Sequence, residues 1–311
     1  LRTTEDARPE PPRSSGRAGA PVAFAVTLLL FSSMEVVSKP LMAAVDPFTL
    51  TFLRFATGLA VLAAFLLASP SERAGLAALG RRTIAALALL GLLNTFLSMS
   101  MLQLAVMSTG ASTAAAVISS NPVFVLAFAS LLGLERFSAG RLLALLAGVA
   151  GIFLVASDGG GLRLEAGVLY AVGASVTFAL YTVLGKRMVS SVTPLAANTV
   201  SFAAGVAALA LFLILTGRPL MPGSAGDTGS VLRILYLGAG VSGLGYVTFF
   251  QTLKAFRATT ASLIFYLKPV VATGLSALML GERHGPAFAA GALLIIGGSA
   301  LGGIRHRSRE G

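Results

Sequence analysis

Shifting the chain by 147 positions lays one half of it on the other. Lys39 falls on Lys186, Pro47 on Pro194, Phe55 on Phe202 and Gly58 on Gly205; further along, Pro122 falls on Pro269 and Glu135-Arg136 on Glu282-Arg283. Between Phe31 and Ser69, thirteen of 39 positions are identical to their partners 147 residues on, and the register holds without a gap to Gly151, which lands on Gly298. A register kept this long marks a duplicated structural unit, so the two halves must adopt the same local fold.

Hydrophobicity identifies the unit. The chain is 56% hydrophobic and only 11% charged, whereas soluble domains carry about 25% charged residues. Apolar runs of about 20 residues read as transmembrane helices. Ten occur, over 21–43, 47–68, 82–104, 109–133, 139–156, 165–188, 194–215, 231–254, 257–280 and 286–304. Five fall in each copy, so the second copy enters the bilayer from the opposite face. The expected fold is an all-α membrane protein, with ten transmembrane helices as two inverted five-helix repeats around a central cavity. The repeats occupy 21–156 and 165–304. Residues 1–20, with four arginines among prolines and serines, read as a disordered cytoplasmic tail, and 305–311 as a second one.

With ten spans both termini share one side. Placing them inside puts sixteen lysines and arginines in the inner segments and four in the outer ones, which orients the chain with cytoplasmic termini. The net charge of +11 is thereby topogenic. No soluble face remains to gather those charges against a nucleic acid. Cysteine is absent and both histidines, His284 and His306, sit among charges at segment ends. No disulfide, no metal site and no cysteine or histidine chemistry is expected, and no cofactor.

Gly238-Ala239-Gly240-Val241-Ser242-Gly243 matches the dinucleotide pattern but lies inside an apolar span without the strand that pattern needs. Close helix packing by small residues accounts for it, as for Gly148-x-x-Gly151 and Gly298-x-x-x-Gly302. No phosphate-binding loop exists, so uphill transport would draw on an ion gradient or a partner. Pro122 and Pro269 are expected to kink the fourth and ninth spans at equivalent depths, freeing backbone carbonyls there. The plainer reading is a packing kink.

Four charges lie within the spans: Glu35, Lys39, Arg54 and Lys268. Each costs roughly 2.5–3.5 kcal/mol at a helix centre, so each should face the interior or reach an interface. Lys39 is placed to snorkel, and Arg54 to snorkel or pair with Glu35. Lys268 is the deepest and is expected to face the cavity. Glu35, the one deep acid, is the candidate for coupling to protons. Ser32, Asn94, Ser98, Ser119, Asn121, Phe178, Tyr181, Tyr246, Gln251 and Tyr266 complete the substrate-cavity candidates. Each is, on the plainer reading, an interhelical contact. Glu135-Arg136 and Glu282-Arg283 read as helix-end anchors.

Asn121-Pro122-Val123-Phe124 and Lys268-Pro269-Val270-Val271, with Gly133-Leu134-Glu135, Gly281-Glu282-Arg283, Arg54-Phe55 and the glycines at 148, 151, 297 and 298, resemble the EamA-type transporters of the drug/metabolite transporter superfamily. The resemblance covers nearly all of 21–304 in two copies. It implies a central cavity lined by spans one, three, four, six, eight and nine, with five and ten at the periphery, and export of small metabolites. Tyr266-Leu267-x-Pro269 is similar to the Tyr-Leu-Trp-Pro of aromatic and neutral amino-acid exporters, with lysine in place of tryptophan; Phe31-Ser32 stands where the family commonly has a span-one tryptophan.

The function expected is secondary transport by alternating access, exporting amino acids, including aromatic and neutral ones, or similar small metabolites across a bacterial inner membrane. It would act as a monomer on a small-molecule substrate within the lipid bilayer. A permease for organic anions or sugar phosphates is the alternative, favoured by the surplus of positive charge. A passive pore or non-transporting scaffold is the alternative of another class. An enzyme is not expected, because no buried Ser–His pair, paired aspartates or metal cluster exists.

Overall fold

The computed structural model describes residues 19–134, 139–156, 165–188, 191–222, 227–256, 258–262 and 264–304, and all its regular elements are helical. In the first half these are α1 (Ala20–Ser38), continued by a 3₁₀ turn over Lys39–Ala43, α2 (Pro47–Ala68), α3 (Pro70–Ala77), α4 (Arg81–Gly91), a π-helical segment (Leu92–Ser98), α5 (Met99–Ser108), α6 (Ala111–Ile118), α7 (Asn121–Leu131) and α8 (Ala139–Ala156). The second half holds α9 (Ala166–Met188), α10 (Pro194–Leu215), α11 (Thr228–Leu235), a second π-helical segment (Tyr236–Leu244), α12 (Gly245–Ala255), α13 (Ala258–Ala261), α14 (Ile264–Leu280) and α15 (Pro286–Ile304).

Seven helical stretches among the described residues are long and apolar enough to cross a membrane, and Leu267–Leu280 and Pro286–Gly298 are shorter apolar helices. The ninth expected span is thus divided between α13 and α14. The fourth is also broken, between α6 and α7. Their two prolines act differently, contrary to the equivalent kinks expected. Pro122 sits in the first turn of α7, where its missing N–H costs nothing. The Ile118 carbonyl, four residues back, instead accepts from the Ser175 hydroxyl at 3.4 Å. Pro269 lies inside α14, which continues through it. The loop expected over 69–81 contains a helix, α3, whose Ser69 cap accepts from the Glu72 amide at 3.4 Å. The tails and Glu135-Arg136 lie outside the described residues.

Side-chain placement is inverted relative to a water-soluble protein. Leu131 and Leu278 are 80% and 86% exposed, whereas Thr27, Ser32, Asn121 and Ser175 are fully buried. Apolar groups face outward because lipid offers them no penalty, and polar groups pair inside because lipid would leave them unsatisfied.

The halves grip each other through glycines. A Cβ on Gly58 would lie 3.0 Å from the Gly238 carbonyl oxygen, and one on Gly205 would lie 2.7 Å from that of Gly91. These are the same contact with the halves exchanged, since 58 maps to 205 and 91 to 238. The backbone at Gly238 likewise approaches the Arg54 carbonyl, and that at Gly91 approaches the carbonyl of Ser201, its repeat partner. The Gly238 run is therefore a helix-crossing surface in a π-helical segment. Gly151 and Gly291 bring α8 and α15 together in the same way, each Cβ position being 2.7 Å from the other's carbonyl oxygen.

A second duplicated device works inside each half. The Lys39 ammonium donates to the carbonyls of Val106, at 2.8 Å, and Thr109, capping α5. Lys186 donates to Leu253 and Phe256, at 2.5 and 2.6 Å, capping α12. Each pair of carbonyls is also related by 147. A cation on the last carbonyls of a helix satisfies orphaned acceptors and complements the helix dipole. Lys39 therefore serves as a cap rather than snorkelling free. We expect Lys39→Met and Lys186→Met each to cost about 1–2 kcal/mol. The effects should be additive in the double variant, because the sites share no partner. Thermal unfolding of the purified protein in detergent checks both expectations.

Candidate functional site

Six of the cavity-lining residues form three repeat pairs: Phe31 with Phe178, Met99 with Tyr246, and Ile118 with Phe265. Position 31 on α1 matches 178 on α9, position 99 on α5 matches 246 on α12, and Ile118 at the end of α6 matches Phe265 on α14. The cavity thus lies where the halves meet. Phe55 and Phe202, themselves repeat partners, meet edge-on with ring centres 4.8 Å apart, and both pack against the lining residue Tyr246. The cavity's walls are aromatic: Phe31 lies tilted against Tyr246 with ring centres 5.1 Å apart, and Phe178 meets Phe265 edge-on at 5.4 Å. The space open to the centre of a water molecule is about 20 Å³, enough for a water or two.

Charge breaks the symmetry. Lys268, on α14, donates to Glu35 Oε1, on α1, at 2.5 Å, with both side chains at least 97% buried. Their repeat partners, Asn121 and Thr182, are neutral. Arg54, on α2, is 1% exposed and lines the cavity, and its partner is Ser201. Its Nε donates to Ser242 Oγ at 3.0 Å, and its guanidinium carbon lies 4.9 Å from the Phe55 ring centre. None of these charges has a charged repeat partner, so a lumen with paired apolar walls is electrostatically asymmetric.

The expected residues divide by placement. Glu35, Lys268, Phe178 and Tyr246 come together. Tyr181 packs on Phe178 at 5.4 Å with its hydroxyl buried, and Asn94 accepts from the Tyr246 hydroxyl at 3.3 Å. Ser32 is buried on α1 beside them. Ser98 donates to the Ala174 carbonyl at 2.9 Å, and Asn121 to that of Ser175 at 3.1 Å; both tie spans of the first half to α9. Ser119 bonds back to Ala115 in its own helix. Gln251 is a correction: it is exposed on the outer face of α12, because its position there points away from neighbouring Phe250 and Leu253, which are buried. The side chain of Tyr266 lies outside the described residues. Arg54 is the correction in the other direction, as are the apolar linings Phe31, Met34 and Phe265. The span-two residue enters a lumen that the resemblance assigned to other spans. The signal for it was available in the repeat, where an arginine faces a serine.

A second cluster bridges the halves at one end of the bundle. Glu282, following α14, accepts from the amides of Ala111 and Ser112, at 2.8 and 3.1 Å, at the start of α6. His284 Nε2 lies 4.0 Å from Oε2, the oxygen that accepts from Ser112. Burial works against the charge on Glu282, but the neighbouring Ser276 hydroxyl and the Ser112 and Ala111 amides outweigh it and hold the carboxyl below its usual range. A carboxyl depressed in the folded state stabilises the fold above its unfolded value and loses that contribution as pH falls through the folded one. The bridge is therefore intact at neutral pH and weakens in acid, below the ordinary value of 4.5. We expect Glu282→Gln to cost about 1–2 kcal/mol at pH 7 and to flatten the fall in unfolding temperature between about pH 5 and 3. Parallel melts of the two proteins across that range measure both effects.

Comparison with known proteins agrees with the duplication. Residues 19–157 and 165–302 each match the EamA-like transporter family. The chain is 32% identical over 284 residues to an uncharacterized transporter of Clostridium kluyveri, covering 89% of this chain and 90% of that one. It is 27% identical to an uncharacterized transporter of Archaeoglobus fulgidus, over 89% and 95% of the two chains. One crystal structure superposes with a TM-score of 0.69 over 94% of this chain and 99% of its own, at 24% identity. That likeness concerns the fold alone.

Proposed function

We propose that this chain, which belongs to the EamA-like transporter family, is an alternating-access secondary transporter that moves amino acids or similar small metabolites outward across a bacterial inner membrane. That it is a multi-pass membrane transporter follows from the family; substrate, direction and mechanism are the proposal. The observation that carries it is the cavity at the junction of the halves, walled by Phe31, Phe178, Tyr246 and Phe265 and lined also by Arg54 and by Lys268, which is paired with Glu35. Aromatic faces suit an apolar or ring-bearing body, and charges of both signs suit a zwitterion.

In this reading the ten segments form two inverted five-span repeats with both termini in the cytoplasm, and a single chain is the working unit. The paired glycine contacts support a two-fold relation between halves, and the excess of lysine and arginine in the inner segments supports the orientation. Substrate enters by motion between the halves, because a free space of about 20 Å³ has no room for a metabolite. Glu35 exchanges a proton with one side and releases Lys268 when protonated.

Proteoliposomes given labelled amino acids, with and without a pH gradient, test the reading. Saturable uptake competed by other amino acids is the expected result. Competition by phosphates or dicarboxylates alone would overturn it in favour of a permease for organic anions or sugar phosphates. One observation favours that second reading: two cations, Arg54 and Lys268, face a single acid, Glu35.

A further inference from the structure

We propose that Arg54 is the oxyanion receptor of this cavity, and that the carboxylate or phosphoryl group of a substrate with an apolar body binds its guanidinium. The proposal rests on the transport reading above and names the group that would recognise the substrate's charged end.

Three observations place the receptor at Arg54. Lys268, the other cation of the lumen, already has its counter-ion in Glu35 at 2.5 Å. Arg54 has no ion pair within 4 Å among the described residues, and its Nη1 is buried with no hydrogen-bond partner among them. One edge of its guanidinium is held by the Ser242 hydroxyl and its carbon sits near the Phe55 ring. The plane is therefore oriented before a ligand arrives, which spares the entropy of ordering it on binding.

A fixed, planar, permanently charged guanidinium with a free Nη1 offers an oxyanion a charge-assisted hydrogen bond in a set direction, which a flexible lysine ammonium does not. In a buried site an uncompensated cation is costly, and an incoming anion relieves that cost while gaining charge-assisted hydrogen bonds. The Glu35–Lys268 pair does not compete for the same anion, because its charges cancel locally. The Phe31, Phe178 and Tyr246 rings share the lumen with Arg54, so the anion should carry an apolar or aromatic group. Ser201, at the repeat position of Arg54, carries no charge, and one such receptor is expected per chain.

Thermal unfolding of the full chain in detergent tests this with four probes: 3-phenylpropionate, its neutral amide, phenyl phosphate and phenethylamine. For the wild type, at least one of the two anions should stabilise at a concentration on the order of tenfold below that needed for the amide, consistent with a single charge-assisted contact. The cation should give no stabilisation. Whichever anion acts at lower concentration identifies the carboxylate or phosphoryl source. Arg54→Met should bring the anions level with the amide, and Arg54→Lys should keep part of the preference. An amide as effective as both anions on the wild type overturns the proposal without any variant, and so does an anion preference that survives in Arg54→Met. Flux in proteoliposomes separates the two ideas. Transport without an anion preference removes the receptor alone, whereas an Arg54-dependent preference without any flux removes the transport reading alone.

Discussion

Vesicles carrying the Glu35→Gln variant should show no uptake driven by a pH gradient, while exchange of substrate at equal pH persists. Glu35 is the one acid deep in the apolar spans, and its only described partner is Lys268 at 2.5 Å. Its loss removes the group that would take up and release the proton. It also leaves the Lys268 ammonium buried with no counter-ion, which costs about 3–5 kcal/mol. Lys268→Met should cost a similar amount by stranding the carboxylate. Removing both charges together, as Glu35→Gln with Lys268→Met, should recover most of the stability without recovering coupling, because a neutral buried pair is tolerated where a lone charge is not. Melting temperatures of the three variants read the first effect, and uptake at several pH values reads the second. Unchanged pH dependence in Glu35→Gln would remove it as the proton carrier. A double variant no more stable than the singles would show that the two side chains do not act as a unit.

Gly91→Val should abolish the folded protein. A Cβ there would lie 1.8 Å from the carbonyl oxygen of Ser201 and 2.6 Å from its carbon. Both are main-chain atoms of α10, so relief requires moving a whole helix. Overpacking of a core costs about 1–3 kcal/mol where side chains can yield, and more is expected where only backbone stands in the way. The equivalent change at Gly238 meets Thr57 Cβ at 2.4 Å, an atom fixed by the α2 backbone, and the Arg54 carbonyl oxygen at 3.0 Å. Gly238→Val should therefore also be disruptive, less so than Gly91→Val because its nearest main-chain atom is 3.0 Å away rather than 1.8 Å. Gly75→Ala on α3 meets nothing within 4 Å and should raise stability by about 0.4–1 kcal/mol through the unfolded chain. The yield of monodisperse protein and its melting temperature order the three. Equal tolerance of Gly91→Val and Gly75→Ala would show that the α4–α10 contact is not tight.

The helical class and the duplication were legible because both are written in long-range regularities, apolar run length and a constant offset. Breaks within runs were not. Neither π-helical segment has a sequence mark, since Leu92–Ser98 and Tyr236–Leu244 are as apolar as an α-helix. The two prolines looked alike, yet only Pro122 falls at a helix start. The α3 helix did carry a signal, Ser69 followed three residues later by Glu72, the pattern of a capping box. In the site, Glu35 and Lys268 could be anticipated from depth alone. Arg54 was left between snorkelling and pairing with Glu35; its serine repeat partner hinted at a special place, and packing shows that it turns inward. Gln251 was misread: polarity suggests the interior, but helical phase decides. Glu282 did prove an anchor, though to the start of α6 in the other half rather than to its own neighbour.

The two lysine caps have a bearing on how the protein is made. Lys39 reaches carbonyls 67 and 70 residues further on, and Lys186 does the same. Each clasp can therefore form as soon as its own half has been synthesised, closing a short loop at low entropic cost. The charged contacts of the lumen span far more chain, 188 residues from Arg54 to Ser242 and 233 from Glu35 to Lys268. Those must wait for the ribosome to deliver the second copy. By sequence separation alone, the clasps and the contacts of α9 with the first half are the near ones, and the charged lumen is the last to have all its partners made.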